Sequence, residues 1–431
     1  MPGVYVKVDG SWIKVASHDT DKFGVAFDSS KFSSGNCFTY TYDLSGSTPL
    51  NNSATTGTVN SSMSWGSWQT LEDNPYLKDC YYSLTYGDGT EVKLNPYDLT
   101  KALDGTDMSA EITAENVMFN IPTRYILRNA NGITHSRNPA SGMPYAHTID
   151  GDVYKWCAIG VYPSVNVSNT AKSVSGVAPS GLITRPDFRT YSRANGSPSN
   201  GIWLQWNFHH YLLLRDIILM SILHWDSQTR IGKGNISGSS AVNWVVNGIY
   251  NTQGLFAGSQ SSGAGYGVKA LVENMWGEAW QWTDDVVTGD VYDEGGYYWK
   301  DVWAGQNSVP QCTENETTSD TGAIITSDKI NVGRFCLGSS ASAVSAGWKY
   351  PTAIGYSSMG WGLPVMTGGS SSTYTFDGYY TGASTDATAR NMAVGGYSNM
   401  TPRAGVSVLT VNGAVRGSAL SFGSRLAFVH D

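Results

Sequence analysis

Asn274-Met275-Trp276-Gly277-Glu278-Ala279-Trp280-Gln281-Trp282 packs three tryptophans into nine residues, and no other stretch of that length holds as many. Each indole brings a wide apolar body and one N–H donor that needs a partner once buried, so Trp276, Trp280 and Trp282 can anchor the packing of a whole domain. Gly277 lets the backbone turn tightly or approach another segment. Two readings are open, a core knot and an aromatic platform for a ligand. Buried aromatics outnumber binding aromatics in ordinary domains, which favours the core.

The rest of the composition surrounds that knot with a turn-rich β protein. The chain has 431 residues, enough for two to three units by length, and 49 of them are glycine. Charged residues make up only 14% while aromatics reach 12%, with 25 tyrosines and 15 tryptophans. A polar, uncharged surface sprinkled with tyrosine suits recognition, because rigid amphipathic rings give contact area at low entropic cost. The net charge of −8, with no compensating Lys/Arg cluster, argues against nucleic acid as partner.

Cys37, Cys80, Cys157, Cys312 and Cys336 are scattered, odd in number and form no CxxC pair, so neither a zinc site nor a redox motif is expected. Free thiols fit assembly in a reducing cytoplasm. The N-terminus lacks a basic region followed by an apolar run, so no signal peptide is expected. The most apolar segment, Tyr211 to Leu223, is interrupted by Arg215, Asp216 and Ser221 and is too short to span a bilayer. Membrane insertion is not expected.

Along the chain, Val4 to Val8 and Trp12 to Val15 flank a turn at Asp9-Gly10 and predict a hairpin. Such a hairpin is marginal alone, so residues 1–17 are expected to attach to another chain. Residues 18–110 read as a β-rich region. Within it Thr48 to Ser64 is expected to be a mobile surface loop, and Tyr81 to Lys93 a second hairpin turning at Asp88-Gly89. Val117 to Leu127 is an expected strand with Pro122 at an edge or bulge, and Trp156 to Tyr162 is another. Ser164 to Asn200 reads as Ser/Pro/Gly-rich loop.

Phe208 to Trp225 is the one convincing helix, apolar on nearly every side and so expected to be buried. Arg215 and Asp216 on it are expected to satisfy partners inside the fold. Its histidines, His209, His210 and His224, are poor candidates for one metal site, because adjacent helical residues diverge. Asp284, Asp285, Asp290, Asp293 and Glu294 cluster with glycines. Calcium is conceivable there, but no EF-hand spacing exists and a solvated acidic turn is expected instead. Nothing in the spacing selects a carboxylate pair for glycoside cleavage. The C-terminal end turns rhythmic, with strands expected at Ala389 to Val394, Ala404 to Val411 and Ser424 to Val429.

Ile121-Pro122, Phe188-Arg189-Thr190-Tyr191 and Asp226-Ser227-Gln228-Thr229, taken in order, resemble phage tail-fibre and receptor-binding proteins. Val272 to Trp282 resembles the asparagine-glycine-tryptophan signature of the C-type lectin fold in its formylglycine-generating-enzyme branch. Gly395-Gly396-Tyr397, Ala404-Gly405-Val406 and Gly423-Ser424-Arg425-Leu426-Ala427-Phe428 are similar to the variable C-terminal segment of retroelement-diversified phage adhesins. The likeness runs from about Trp65 to the end. It implies an α+β, β-rich, C-type lectin-like fold over residues 111–431, with short strands, one main buried helix and long Gly/Ser/Asn-rich loops. Residues 389–431 would be the ligand-binding segment.

Enzymes of that branch need cysteines in the C-terminal segment, and none follows Cys336. Loss of the nucleophile removes the activity that the fold suggests, so no enzyme and no cofactor are expected. The resemblance makes Trp276, Gly277, Trp280, Trp282, Gly395, Gly396, Gly405, Gly423, Leu426 and Phe428 scaffold. It makes Tyr397, Asn399, Met400, Arg403, Ser407, Leu409, Asn412, Arg416, Ser418 and Ser421 outward-facing ligand positions. The function implied is recognition of a host-surface glycan or protein by a virion protein of a bacteriophage, a tail fibre assembled in the host cytoplasm. It would be a homotrimer joined to other virion proteins through its N-terminal segment. A capsid decoration or collar protein and a polysaccharide depolymerase are the alternatives.

Overall fold

The computed structural model describes residues 3–431 except 9–10, 18–20, 29, 32–35, 237–243, 264, 294–295, 305–329, 339–346, 357–361, 368–369, 371–376, 382–389, 401–402 and 415–416. The chain is β-rich, and three α-helices lie among those residues: α1 (Arg185–Arg193), α2 (Phe208–Ile222) and α3 (Ser227–Arg230). No helix among them is long and apolar enough to cross a membrane.

Two large sheets carry the architecture. The first runs in spatial order Gly201–Gln205, Leu426–His430, Trp156–Gly160, Asn116–Pro122, Tyr81–Thr85, Glu91–Asn95 and Asp98–Ala102. Asn116–Pro122 lies mid-sheet and is buried along almost its whole length, so it reads as an apolar run rather than an alternation. Pro122 ends it. Residues 116–120 pair with Tyr81–Thr85, whereas Pro122 pairs only on the other side, with Trp156, which suits a residue lacking an N–H. The strand expected from Val117 to Leu127 is therefore two strands, the second being Tyr125–Asn129 in a different sheet.

That smaller sheet orders Tyr125–Asn129, Gly132–Ser136, Lys22–Phe27 and Phe38–Tyr42. Both sheets pair strands from before residue 110 with strands after it. The boundary expected at 110/111 consequently runs through hydrogen-bonded ladders and does not separate two units. The N-terminal segment forms its own hairpin, Gly3–Val8 against Ser11–Ser17. The hairpin at Asp88-Gly89 forms as expected, with Gly89 at φ +85°.

The Thr48–Ser64 segment is pinned rather than loose, contrary to its polar composition. Leu50 is fully buried, Asn52 Nδ2 donates to Ile231 O at 3.0 Å, and Gly57 N–H donates to Ser261 Oγ.

The helix α2 is buried at every position. Asn207 caps it: its side chain accepts the His210 N–H, and His210 Nδ1 accepts the Asn207 N–H, a reciprocal capping box. Leu223, at φ +48°, ends the helix in the left-handed region. Asp216 lies on its buried face and receives Arg128 Nε at 2.6 Å and His135 Nε2 at 2.9 Å, with Arg215 alongside. Burial alone would raise this carboxyl, but Arg128, His135 and Arg215 hold it at about 2. The same burial pushes His135 down.

The helix α1 was not expected, since its stretch reads as loop. Thr184 caps it by accepting the Asp187 N–H, and Pro186 sits in the first turn. Its arginines explain the misreading: Arg185 and Arg189 point inward to a buried carboxylate, so the inner face is not apolar.

Candidate functional site

The tryptophan knot opens the second large sheet, whose order is Ile330–Gly338, Gly296–Ala304, Trp280–Asp293, Arg390–Val394, Leu409–Ala414, Tyr379–Thr381 and Gly347–Lys349. Phe422–Ser424 pairs in parallel with the first residues of Trp280–Asp293. The three indoles divide between two cores. Trp276 is fully buried in the main core, and its Nε1 donates to Gly232 O at 3.1 Å. Trp280 and Trp282 pack instead with Phe188, Ile236, Met400, Ala404 and Val408. Trp282 is buried with its Nε1 unpartnered, while its carbonyl accepts from Trp206 Nε1 and Ser424 Oγ.

Two glycines set the backbone here. Gly277 has φ +79°, and a Cβ on it would lie 2.8 Å from Ile236 Cγ2. Gly395 has φ +89°, and its Cβ would meet Met275 O at 2.5 Å. A side chain at Gly395 would push the C-terminal loop off the knot, and one at Gly277 would push the knot off the segment around Ile236. Docked this closely, Gly277 N–H donates to Gly395 O at 3.0 Å, and Tyr397 bridges to Glu278. Arg425 ties the C-terminal segment to the same place, donating to Gln281 Oε1, Gly160 O and Glu273 O. Burial lowers this guanidinium to about 9, opposed by Glu273.

On this base sits a cleft of about 310 Å³ lined by Trp280, Trp348, Tyr380, Tyr397, Met400, Thr410, Ser421 and Phe422. Phe422 stacks on Trp282 at 4.1 Å between centroids and lies nearly parallel to Trp280 at 6.3 Å. Trp348 meets Tyr380 edge-on at 5.5 Å and 72°. The Arg403 guanidinium lies 5.2 Å over the Trp348 ring. Trp280 keeps about 5% of its surface exposed, enough to form one wall while the rest of the ring packs inward.

Two buried carboxyls lie on neighbouring segments. Glu278 is buried and accepts from Val245 N–H and Asn235 Nδ2, and burial raises it to about 8. Asp377 is buried against Gly405 and accepts the Ser407 N–H at 2.7 Å; burial raises it to about 8 as well. In both, burial outweighs the accepted N–H bonds and favours the neutral carboxyl.

Of the expected ligand positions, the structure brings Tyr397, Met400 and Ser421 together in the cleft, with Arg403 beside it. Asn399 and Ser418 are exposed but do not line it. Ser407 and Leu409 correct the expectation. They are 8% and 6% exposed, because Ser407 docks on Asp377 and Leu409 packs into the main core, so neither faces outward. Arg416 and the Asn412 side chain lie outside the described residues. Gly396, Gly405, Gly423, Leu426 and Phe428 are buried. Trp348, Tyr380, Thr410 and Phe422 were missed as lining residues; the only signal was Trp348, an apolar point in a Gly/Ser-rich stretch.

The acidic cluster also corrects an expectation. Asp284 and Asp285 are buried at the turn of Trp280–Asp293 toward α1, not solvated. Asp284 receives Arg185 Nη1 at 2.8 Å and Arg189 Nη2 at 2.6 Å, and Asp285 accepts the Phe208 N–H at 2.7 Å. Glu294 lies outside the described residues. No group of three metal-ligating side chains occurs among the described residues. His209 stacks flat on Tyr145 at 5.1 Å, His210 caps α2, and His224 Nδ1 accepts the Asp226 N–H. Cys37, Cys80 and Cys157 are buried and form no disulfide among the described residues.

No protein-family model matches the chain, and no curated protein matches it. Among solved structures it is similar to the major tropism determinant U1 variant, at 12% identity and a TM-score of 0.28, over 82% of this chain and 73% of that one. A TM-score this low does not establish a shared fold.

Proposed function

We propose that this chain is a non-enzymatic bacteriophage virion protein, a tail-fibre or receptor-binding adhesin, that recognises a host-surface receptor through its C-terminal cleft. Its C-terminal part would be a C-type lectin-like platform. The observation that carries this reading is the coincidence of two independent lines. The segment that resembles the variable region of phage adhesins also contributes Tyr397, Met400, Thr410, Ser421 and Phe422 to an aromatic-lined, solvent-accessible cleft that Trp280, Trp348 and Tyr380 complete. Concave sites lined by aromatics with a few polar groups are the usual form of ligand pockets, and Tyr, Trp and Arg are the side chains that concentrate binding energy. In this reading the N-terminal hairpin Gly3–Val8/Ser11–Ser17 joins the protein to the particle or to sister subunits. A trimer would convert weak single-site contacts into useful avidity.

The test is binding of the purified protein to envelopes from a panel of bacteria, compared with a Tyr397→Ala/Arg403→Ala variant. Arg403 is exposed and Tyr397 half-buried. The double variant is therefore expected to lose most envelope binding and to melt within a degree or two of the parent. Equal binding by the variant removes the cleft from the function. Release of reducing sugar ends from envelope polysaccharide would make the protein a depolymerase instead.

A further inference from the structure

We propose that the cleft takes a saccharide bearing an anionic substituent, a carboxylate or a phosphate, with the sugar ring against the aromatic walls and the anion on Arg403. This deepens the host-recognition reading and rests on it for the source of the ligand; the chemistry comes from the cleft.

Three observations converge. First, the side chains that line the cleft are five aromatic rings, one thioether and two hydroxyls, with no carboxylate, lysine or arginine among them. Flat apolar rings beside hydroxyl groups match the two faces of a pyranose, whose C–H side is apolar and whose rim is hydroxylated. The cleft, at about 310 Å³, is near the small end of ligand sites and holds one or two sugar rings.

Second, Arg403 is exposed, makes no ion pair among the described residues, and rests 5.2 Å over the Trp348 ring. Stacking on an indole holds a guanidinium through its π face and leaves the in-plane N–H donors unspent. Those donors form a fork that fits a carboxylate or phosphate in bidentate fashion. Because the indole already restrains the side chain, less entropy is lost when the anion arrives.

Third, the buried carboxyls on neighbouring segments are engaged elsewhere: Glu278 accepts the Val245 N–H and Asp377 the Ser407 N–H, and neither pairs with Arg403 among the described residues. Thus Trp348 belongs to both halves of the site, as a wall for the ring and a support for the cation.

The experiment titrates the full-length protein, followed by quenching of tryptophan fluorescence and by saturation-transfer NMR. The probes are methyl glucuronide, glucose 6-phosphate, neutral methyl glucoside and an Asp-Glu dipeptide. Expected is binding of at least one charged sugar about tenfold tighter than the neutral one. Arg403→Ala should erase that gap, and Arg403→Lys should restore only part of it. The preferred sugar tells carboxylate from phosphate. Equal affinity for charged and neutral sugars, no sugar binding at all, or tighter binding of the dipeptide overturns the proposal. Envelope binding that persists in any of those cases leaves host recognition standing. Charged-sugar binding without envelope binding overturns host recognition and keeps the ligand class.

Discussion

Replacing Asp284 by alanine should destabilise the fold more than any other single removal of a charge. Its carboxylate accepts Arg185 Nη1 at 2.8 Å, Arg189 Nε at 2.9 and 3.0 Å, and Arg189 Nη2 at 2.6 Å. The side chains involved are 0–7% exposed, so water cannot replace the lost acceptor. Removing one partner of a buried ion pair costs about 3–5 kcal/mol, because the charge left behind stays desolvated. Here two guanidinium groups lose their shared anion, and Arg193 adds further positive charge nearby, so the upper end of that range is expected. Against a total stability of roughly 5–15 kcal/mol, the loss should be visible as a large drop in the denaturant midpoint, read by far-UV circular dichroism and tryptophan fluorescence together. Arg185→Met/Arg189→Met/Asp284→Leu is the informative control, since it removes the charges as a set and should cost much less than the single change. A cost below about 1 kcal/mol for Asp284→Ala, or a triple variant as unstable as the single one, would refute this account of how α1 is held.

Trp280→Ala should cost about 3–5 kcal/mol, as a buried aromatic does, and should also abolish ligand binding; a folded variant of unchanged midpoint that loses only binding would make Trp280 purely a platform residue. For Glu278, burial raises the folded carboxyl to about 8 against an ordinary value of 4.5. Its stabilising effect is complete below the ordinary carboxylate range and is lost as pH rises toward 8. Glu278→Gln should therefore flatten the fall in stability between those limits, measured as denaturant midpoint against pH, and an unchanged slope would sink the assignment. Leu409→Ser should destabilise by about 2–4 kcal/mol, as truncation of a buried leucine does, without changing any surface contact; wild-type stability with lost envelope binding would restore its expected outward role.

Elements set by near neighbours could be read from the sequence, and elements set by distant partners could not. The hairpin at Asp88-Gly89 and the helix Phe208–Ile222 announce themselves through a turn dipeptide and an unbroken apolar run. Thr184-Arg185-Pro186-Asp187 carries good helix-start chemistry. Yet the inner face of α1 presents arginines, and their partner Asp284 lies 95 residues further along from Arg189. With no apolar stripe, the periodicity test fails. Asp284 was misread for the matching reason, since a cluster of acids looks solvated until its cations are placed. Ser407 and Leu409 show a subtler limit. The alternation near them predicts a strand but not what covers each residue, and both are covered, Ser407 by Asp377 and Leu409 by the main core.

The cleft itself is a product of sheet topology. Tyr380 reaches it because Tyr379–Thr381 runs parallel to Leu409–Ala414, and Phe422 because Phe422–Ser424 runs parallel to the start of Trp280–Asp293. Parallel neighbours need long crossovers, so no local pattern could have joined Trp280, Tyr380 and Phe422. What the local pattern did contain was the base. Gly277 and Gly395 occupy positions where a Cβ would strike Ile236 and the Met275 carbonyl, and the knot and the C-terminal loop close on each other through that gap. The choice between core and platform for the three tryptophans therefore has no single answer. Trp276 belongs to one core and Trp282 to the other, and Trp280, on the same strand as Trp282, shows an edge to the cleft. A cleft mounted this way can change its outer side chains, Tyr397 and Arg403 among them, while the packing beneath stays fixed.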